Sequence, residues 1–393
     1  MLVSVMAFFR NRTVNLLNLH YGIHSIALTG GGAFFSAYLL RAGVPVPLVL
    51  VSLASIFLGR LVIRPAVVPL AVRYGVRALV IAGTCMSAMQ YPLLAFVHGV
   101  GPALFALCAM SSLGDTVYWS TYHAYFAALG EGEHRGHHVG AREAIAATVG
   151  IISPLLTGVV LVRFGPMIAF GMTGFVLVIG ALPLFATPDV RVKSQMPGAF
   201  RASLSGIKLF LCDGWIVGTG YFVWQIALFI SLGENFLHFG GALALAALVG
   251  AVAGMFLGRH IDSGSGVRMT ALALGAFAVL IVLRAAALRE PLLAVAANAL
   301  ASIGSCLYAP TLMTAVYNQA QRAPCTLRFH VATEGGWDVG CASGLLIAAF
   351  LIWRGVPFPL VLLLPLIGLS VAFVLLRDHY AREGGLNSHA VKA

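Results

Sequence analysis

Charge is what this sequence has least of: of its 393 residues, 9% are Asp, Glu, Lys or Arg, against 60% apolar ones. A soluble globular domain carries nearer a quarter of charged residues, so that class is excluded. Acids are scarcer than bases, 13 against 24, but the basic residues are spread along the chain rather than clustered, which argues against a nucleic-acid partner. The six cysteines lie in or beside apolar runs without CxxC spacing, so neither a disulfide framework nor a zinc site is indicated and they read as small packing residues. No nucleophile elbow, phosphate-cradling glycine loop or pair of hydrolytic carboxylates occurs, which points away from an enzyme, a cofactor and ATP-driven pumping by this chain alone. No cleavable signal peptide is evident, because MLVSVMAFFRNR is short and precedes a first apolar run that is itself long.

What is present is a series of apolar runs, each about 20 residues long and sufficient to cross about 30 Å of hydrocarbon as a helix. Gly and Pro inside such runs are tolerated because neighbouring helices satisfy the freed backbone groups. A β-barrel would instead need strands of about 10 residues alternating apolar and polar. The runs and their breakers predict an all-α membrane protein with twelve transmembrane helices in two pseudo-symmetric six-helix bundles. The spans fall at 16–41, 46–70, 77–98, 102–127, 140–163, 166–187, 209–233, 240–260, 267–288, 291–318, 328–353 and 356–376. With the N-terminus inside, only Arg41, Arg163, Arg284, Arg289 and Arg354 fall outside, so the positive-inside rule predicts a multi-pass cell-membrane (inner-membrane) protein with both termini cytoplasmic. Residues 1–188 form the first bundle, 189–208 a basic cytoplasmic linker, 209–376 the second bundle and 377–393 a cytoplasmic tail. The expected partners are the lipid bilayer and a small-molecule substrate, with the chain acting as a monomer.

Residues 111–166 return in outline at 301–357. Ser112, Gly114, Tyr118 and Gly165 fall opposite Ser302, Gly304, Tyr308 and Gly355 at an offset of 190, and Glu143 opposite Glu334 at 191. Asp115 has no such counterpart, because Ser305 stands opposite it.

Ionisable side chains near the bilayer centre are expensive unless they face a cavity or a partner, so they are the functional candidates. Asp115 lies near the middle of the fourth span, and Tyr118, Trp119 and Tyr122 follow at i+3, i+4 and i+7, placing an acid and aromatic rings on about one face. Such a face suits a cationic or amphipathic solute. The plainer alternative is helix packing. His20 and His24, at i, i+4 before the flexible TGGG of 29–32, read as further solute contacts or polar packing rather than a metal site. Arg142, Glu143, Glu334 and Asp338 are candidates for proton coupling or for a salt-bridge gate, with capping of helix N-termini the bland reading of the glutamates. Glu334 and Asp338 share a helix face, so one of this pair would carry a proton. Asp213, Trp215 and Glu234 read as interfacial anchors, and the loop set His134, His137 and His138 as an ordinary polar loop. No Lys or Arg is expected in the middle of a span, which favours a neutral or cationic substrate over an anion.

Twelve spans, two related halves and a basic central loop resemble the major facilitator superfamily. Its Gly-x-Leu-x-Asp-Arg-x-Gly-Arg-Arg loop pattern falls on VPLAVRYGVR, where Leu70, Arg73, Gly75 and Arg77 match while Val68 and Val72 replace the glycine and aspartate. In the second half GRHIDSGSGVR keeps Gly258 and Asp262, so the resemblance implies that Asp262 carries the charge latch there. The family's fifth-helix pattern has only Pro154 and Gly158 in SPLLTG. The resemblance implies a secondary transporter whose bundles rock about a cavity lined mainly by spans one, four, seven and ten. Proton-coupled efflux of a neutral or cationic amphipathic small molecule is the first reading. An uptake permease for a nutrient or metal chelate, or a non-transporting sensor on the same fold, are the alternatives.

Overall fold

The computed structural model describes residues 12–129, 135–193, 196–261 and 266–390, apart from the side chains at 127, 135–146, 257–261, 266 and 383–390. Among the described residues it is helical, with no strand. In chain order the helices are α1 (Arg12–Thr29), α2 (Phe35–Arg41), α3 (Val46–Ile63), α4 (Val67–Tyr74), α5 (Val76–Ala95), α6 (Pro102–Leu129), α7 (Arg135–Gly180) and α8 (Ala199–Ile216). They continue with α9 (Val223–Ser231), α10 (Phe236–Ile261), α11 (Gly266–Ala287), α12 (Pro291–Arg322), α13 (Thr326–Trp353), α14 (Phe358–Val361) and α15 (Pro365–Ala390). Ten stretches among the described residues are long and apolar enough to cross a membrane. One of them, Ala147–Ala186, has 40 residues, about 60 Å of helix and twice a hydrocarbon core. It is broken at Gly165, whose φ of 79° lies outside the helical range. The chain is therefore a multi-pass membrane protein.

Local chemistry explains the breaks. The TGGG stretch interrupts the first span as predicted: α1 stops at Thr29, a 3₁₀ turn covers Gly31–Phe34, and α2 resumes the crossing. Side chains are excluded there by packing, since a Cβ on Gly30 would lie 2.8 Å from Thr157 Oγ1 and one on Gly31 2.7 Å from Thr173 Oγ1. The seventh predicted span is likewise α8, a π-helical segment Val217–Phe222 and α9 in succession. Positive φ recurs at Gly43, Gly99, Gly165, Gly233 and Gly355, in the turns at one end of the helices. The opposite end carries the segment 187–198.

That segment supplies a carboxylate which the loop before α5 lacks. Asp189 Oδ1 accepts from the Arg77 backbone N–H at 3.2 Å, and Asp189 Oδ2 lies 3.0 Å from Arg191 Nε. Val76 N–H donates to Val190 O at 3.0 Å and Arg77 Nη1 to Thr187 O at 2.8 Å. An acid at a helix N-terminus satisfies open N–H groups and the dipole. Asp189 thus stands at the N-terminus of α5, beside the loop in which Val72 replaces the aspartate of the family pattern. Asp262, the expected latch of the second half, lies outside the described residues.

The largest apolar cluster joins α2, α3 and α7 to α9, α10 and α13, with Phe34, Phe57 and Phe170 packed in one core with Trp224, Phe229 and Leu345. Phe34 meets Phe239 edge-on at 5.4 Å, and Phe229 stacks on Phe236 at 5.2 Å. At the crossing of α7 and α10, a Cβ on Gly240 would meet Pro154 O at 2.5 Å and one on Gly158 would meet Phe236 O at 2.8 Å. Pro154 and Gly158 of SPLLTG therefore do bring two helices close, though most of the family pattern is missing.

Candidate functional site

A cavity of about 360 Å³ lies between the helices of residues 12–186 and those of 199–390. Its wall includes His24, Gly32, Arg60, Asp115, Trp119 and His123 from the first set and Phe210, Tyr221, Gln225, Glu334 and Trp337 from the second. Spans one, four and seven contribute as the family resemblance implied. None of α12 lines it; α3, α5 and α13 do instead. The tenth span acts from behind: Tyr308 on α12 donates to Asp213 Oδ1 at 2.9 Å, and the Trp337 indole N–H donates to Asp213 Oδ2 at 3.0 Å.

Four charged side chains dominate the wall beside α3 and α13, and the expectation that no arginine sits mid-span is wrong. Arg60 is the middle residue of the crossing Val46–Tyr74 and Arg64 lies one turn on; both are buried. Arg60 Nε is 2.9 Å from Asp338 Oδ1 and its Nη2 donates to Glu334 Oε2 at 3.2 Å. Arg64 Nε donates to Asp338 Oδ2 at 3.0 Å, its Nη2 makes a second and shorter contact with the same oxygen, and its Nη1 donates to Ser120 Oγ at 2.8 Å. Two bases at i, i+4 on one helix face two acids at i, i+4 on another, which makes a ladder. Trp337 and Phe57 flank the Arg60 guanidinium at 5.4 and 5.5 Å from their ring centroids. Glu334 and Arg60 face the cavity, and Asp338 and Arg64 lie behind them.

The ladder revises two expectations. Glu334 is not at a helix N-terminus, since α13 begins at Thr326 two turns earlier, so the capping reading falls. Glu334 and Asp338 are not a lone carboxylate pair, because each is held by arginine. His123 Nε2 approaches Glu334 Oε1 at 3.9 Å, and its ring stacks with His330 at 6.0 Å.

The expected solute face of α6 divides. Asp115 and Trp119 line the cavity, and Asp115 accepts from Ser87 Oγ at 3.3 Å with no ion pair among the described residues. Tyr118 and Tyr122 are fully buried and do not line it. They stack on each other at 5.4 Å, and Tyr118 stacks on His24 at 4.1 Å. His20 is a core histidine rather than a cavity residue: Nδ1 meets Gly180 O at 2.6 Å and Nε2 meets Tyr118 Oη at 3.0 Å. His24 does line the cavity. Asp213 is no interfacial anchor, being fourteen residues into α8 and held by Tyr308 and Trp337. Trp215 donates from Nε1 to Leu364 O at 2.8 Å, so it also packs inside. Glu234 is exposed in a turn, 3.9 Å from Arg41, as an anchor would be. The side chains of Arg142, Glu143, His137 and His138 and the residues His134 and Asp262 lie outside the described set. Among the described residues no cluster of three or more His, Cys, Asp or Glu could hold a metal.

Arg60, Arg64 and Gln225 were missed in the sequence. A signal existed for the arginines, since two opposite-signed pairs share the i, i+4 spacing. It was hidden because both arginines lie toward the expected cytoplasmic end of the span 46–70 and count there with the inside charges.

Comparison with known proteins follows from this geometry. No curated protein matches the sequence. Among solved structures, a POT family transporter in complex with 5-aminolevulinic acid superposes with a TM-score of 0.69 at 12% identity, covering 93% of this chain and 96% of that one. The E. coli fucose:proton symporter FucP gives 0.64 at 13%, covering 94% and 99%. The human organic anion transporter MFSD10 gives 0.65 at 15%, covering 93% and 99%. These likenesses speak to the fold alone. The sequence itself matches the Major Facilitator Superfamily over residues 17–325, most of its length, and on that match the chain belongs to the major facilitator superfamily.

Proposed function

We propose that the chain is a proton-coupled secondary transporter that exports a neutral or cationic amphipathic small molecule across the cell membrane, with both termini in the cytoplasm. Membership in a transporter superfamily makes it a carrier rather than an enzyme. The observation that carries the reading is a cavity between the two helix sets with a mid-membrane acid, Asp115, in its wall and an arginine–carboxylate ladder beside it.

Twelve crossings in two related halves fit the helices, with the expected linker 189–208 cut short because α8 already begins at Ala199. The ten apolar stretches include one long enough for two crossings either side of Gly165, and α6 adds another that its Ser, Thr and Asp make less apolar. The offset of 190 seen in the sequence recurs in geometry. Positive φ is found at Gly43 and Gly233 and at Gly165 and Gly355. Cys108 Sγ donates to Ser52 O at 3.7 Å, and Asn298 Nδ2 to Ala242 O at 3.1 Å. Tyr118 meets His20 on the first span as Tyr308 meets Asp213 on the seventh.

Asp115 has a neutral donor in Ser87 and no ion pair among the described residues, so a proton or a cationic solute competes for one carboxylate. Mutually exclusive occupancy of one site gives exchange, and with a proton gradient directed inward it gives export. The ladder ties α3 to α13 at one end of the cavity. Breaking one partner of a buried pair is costly, so opening there needs Glu334 to be neutralised or paired anew, and His123 is placed to assist. Glu143 and Glu334, paired in the sequence, would serve the conformational cycle rather than substrate choice, Glu334 through the ladder.

The likeness to a fucose:proton symporter supports a second reading, uptake with a proton. Proteoliposomes decide between them. Under an imposed pH gradient, a solute found by thermal-shift screening moves against the proton flux for exchange and with it for symport. Asp115→Asn is expected to abolish the response to the gradient. Full response in Asp115→Asn, Glu334→Gln and Asp338→Asn alike would sink the coupling assignment.

A further inference from the structure

The hydrogen bonding of the cavity wall has two gaps, one on each side. His24 Nδ1 and Gln225 Oε1 are buried polar atoms without a hydrogen-bond partner. The residues are 5% and 7% exposed, and both line the cavity. Buried polar atoms are satisfied in the great majority of cases, so an orphan in a cavity wall marks a place for a water or for the polar atom of a ligand that displaces it. Neither side chain is loose: the His24 ring stacks on Tyr118 at 4.1 Å and meets Trp119 edge-on at 5.5 Å, and Gln225 sits on α9 directly after the π-helical Val217–Phe222. They belong to opposite halves of the chain, so one ligand touching both would bridge the halves.

The charges of the wall narrow the ligand. Asp115 meets Ser87 Oγ at 3.3 Å and forms no ion pair among the described residues, the Arg60 charge acting on it only from a distance. Arg60 is already engaged by Glu334, Asp338 and two aromatic rings, so a ligand carboxylate would have to displace Glu334 to reach it. The wall therefore offers one open negative charge, one open acceptor at Gln225 Oε1, one ring nitrogen at His24, and flat aromatic surface. We propose that the cavity binds an organic monocation carrying a separate N–H or O–H donor, the charge set against Asp115 and the donor against Gln225 Oε1, in preference to a zwitterion or an anion. The proposal rests on the transporter reading and narrows its substrate from neutral or cationic to cationic with a donor. A cation over Trp119 or Trp337 gains further from their ring faces.

The test uses the full chain in detergent and matched probes on one scaffold: tryptamine, its N-acetyl derivative, its quaternary trimethylammonium derivative, tryptophan and indole-3-acetate. A second series on phenethylamine guards against an accident of shape. Thermal shift and equilibrium dialysis should give amines binding at least about tenfold tighter than the neutral, zwitterionic and anionic members, a step set by one lost charge-assisted contact. Asp115→Asn should erase the preference for cations. Gln225→Leu should weaken tryptamine and its quaternary derivative alike, about tenfold, because both keep the indole N–H, and leave the phenethylamine cations, which carry no separate donor, unmoved, whereas Gln225→Glu should tighten both series; a purely structural glutamine would lose binding in both series and both variants. Equal or tighter binding of tryptophan or indole-3-acetate overturns the proposal, as does a cation preference that survives Asp115→Asn, or a folded wild-type protein that no amine stabilises. Gradient-driven flux in proteoliposomes is measured separately. Flux of some other solute without amine binding defeats this proposal alone, and absence of flux for every solute defeats the transporter reading.

Discussion

At the scale of single residues, three acids and two bases meet at or just behind the cavity wall, and their partners differ in kind. Glu334 and Asp338 face Arg60 and Arg64, whereas Asp115 faces a serine hydroxyl. A buried ion pair gives little net stability, because desolvation offsets the attraction, but removing one partner leaves a charge stranded. Arg64→Leu is therefore expected to cost about 3–5 kcal/mol, measured as a loss of melting temperature in detergent. The double variant Arg64→Leu with Asp338→Leu should recover most of that loss. Failure of the pair to recover would mean that Asp338 serves Arg60 more than Arg64, or that Arg64 acts through Ser120. Asp115 was legible in the sequence because an acid in a run of apolar residues stands out by itself. Arg60 was not, because an arginine near an apparent loop is ordinary, and only its partner 274 residues away gives it meaning.

At the scale of elements, α8 and α13 form the tightest pair, and glycine explains how. A Cβ on Gly214 would fall on Trp337 O, one on Gly218 would lie 2.8 Å from Cys341 O, and one on Gly336 would lie 2.5 Å from Ile207 O. Gly340 is closed off in the same way by Leu211 O, with Trp215 N at 2.8 Å. Small residues four apart let backbones approach in membranes, where packing rather than hydrophobic exclusion holds helices together. The helix that carries Glu334 and Asp338 is thereby fused to the helix that carries Gln225 beyond its π-helical turn. Gly340→Leu is expected to remove folded protein from the detergent extract, or to destabilise it by at least about 1–3 kcal/mol. Gly171→Ala, where no atom lies within 4 Å of the added Cβ, should stay within about 0.5 kcal/mol of wild type by thermal melting. If the two variants melt alike, the glycine seam does not hold the pair. The repeated glycines were visible in the sequence, but which of them meet a neighbour follows from helix rotation, which one strand of residues does not specify.

At the scale of the whole molecule, the two halves are joined at both ends of the cavity. Toward the turns at Gly43 and Gly233, Phe34, Phe229, Phe236 and Phe239 pack across the halves, with Arg41 near Glu234 beyond them. Toward the linker, the ladder and a second cluster joining Leu327 to Tyr122 and Leu184 do the same, and Arg328 Nη2 donates to Lys193 O at 3.2 Å. Exchange across the membrane requires these two seals to open in turn. Phe34→Cys with Phe239→Cys, in a background without the native cysteines, is expected to be bridged by a short bis-methanethiosulfonate reagent and to stop transport in proteoliposomes, with recovery on reduction. Undiminished turnover in the cross-linked protein would show that the aromatic seal does not open.

The sequence by itself determined the membrane class and the helical build, and it carried the offset of 190 and an acid, Asp115, inside an apolar run. Each of these is written in local hydropathy and in the 1.5 Å rise that matches a run of residues to a bilayer. Tertiary structure decided what the sequence left open: that Arg60 and Arg64 answer Glu334 and Asp338, that Asp189 stands at the N-terminus of α5, that His20, Tyr118 and Tyr122 turn into the core, and that His24 and Gln225 are left with open polar atoms at the cavity. All of these depend on which face of one helix meets which face of another. That choice is made by packing between residues far apart in the chain, and no periodicity within a single span records it.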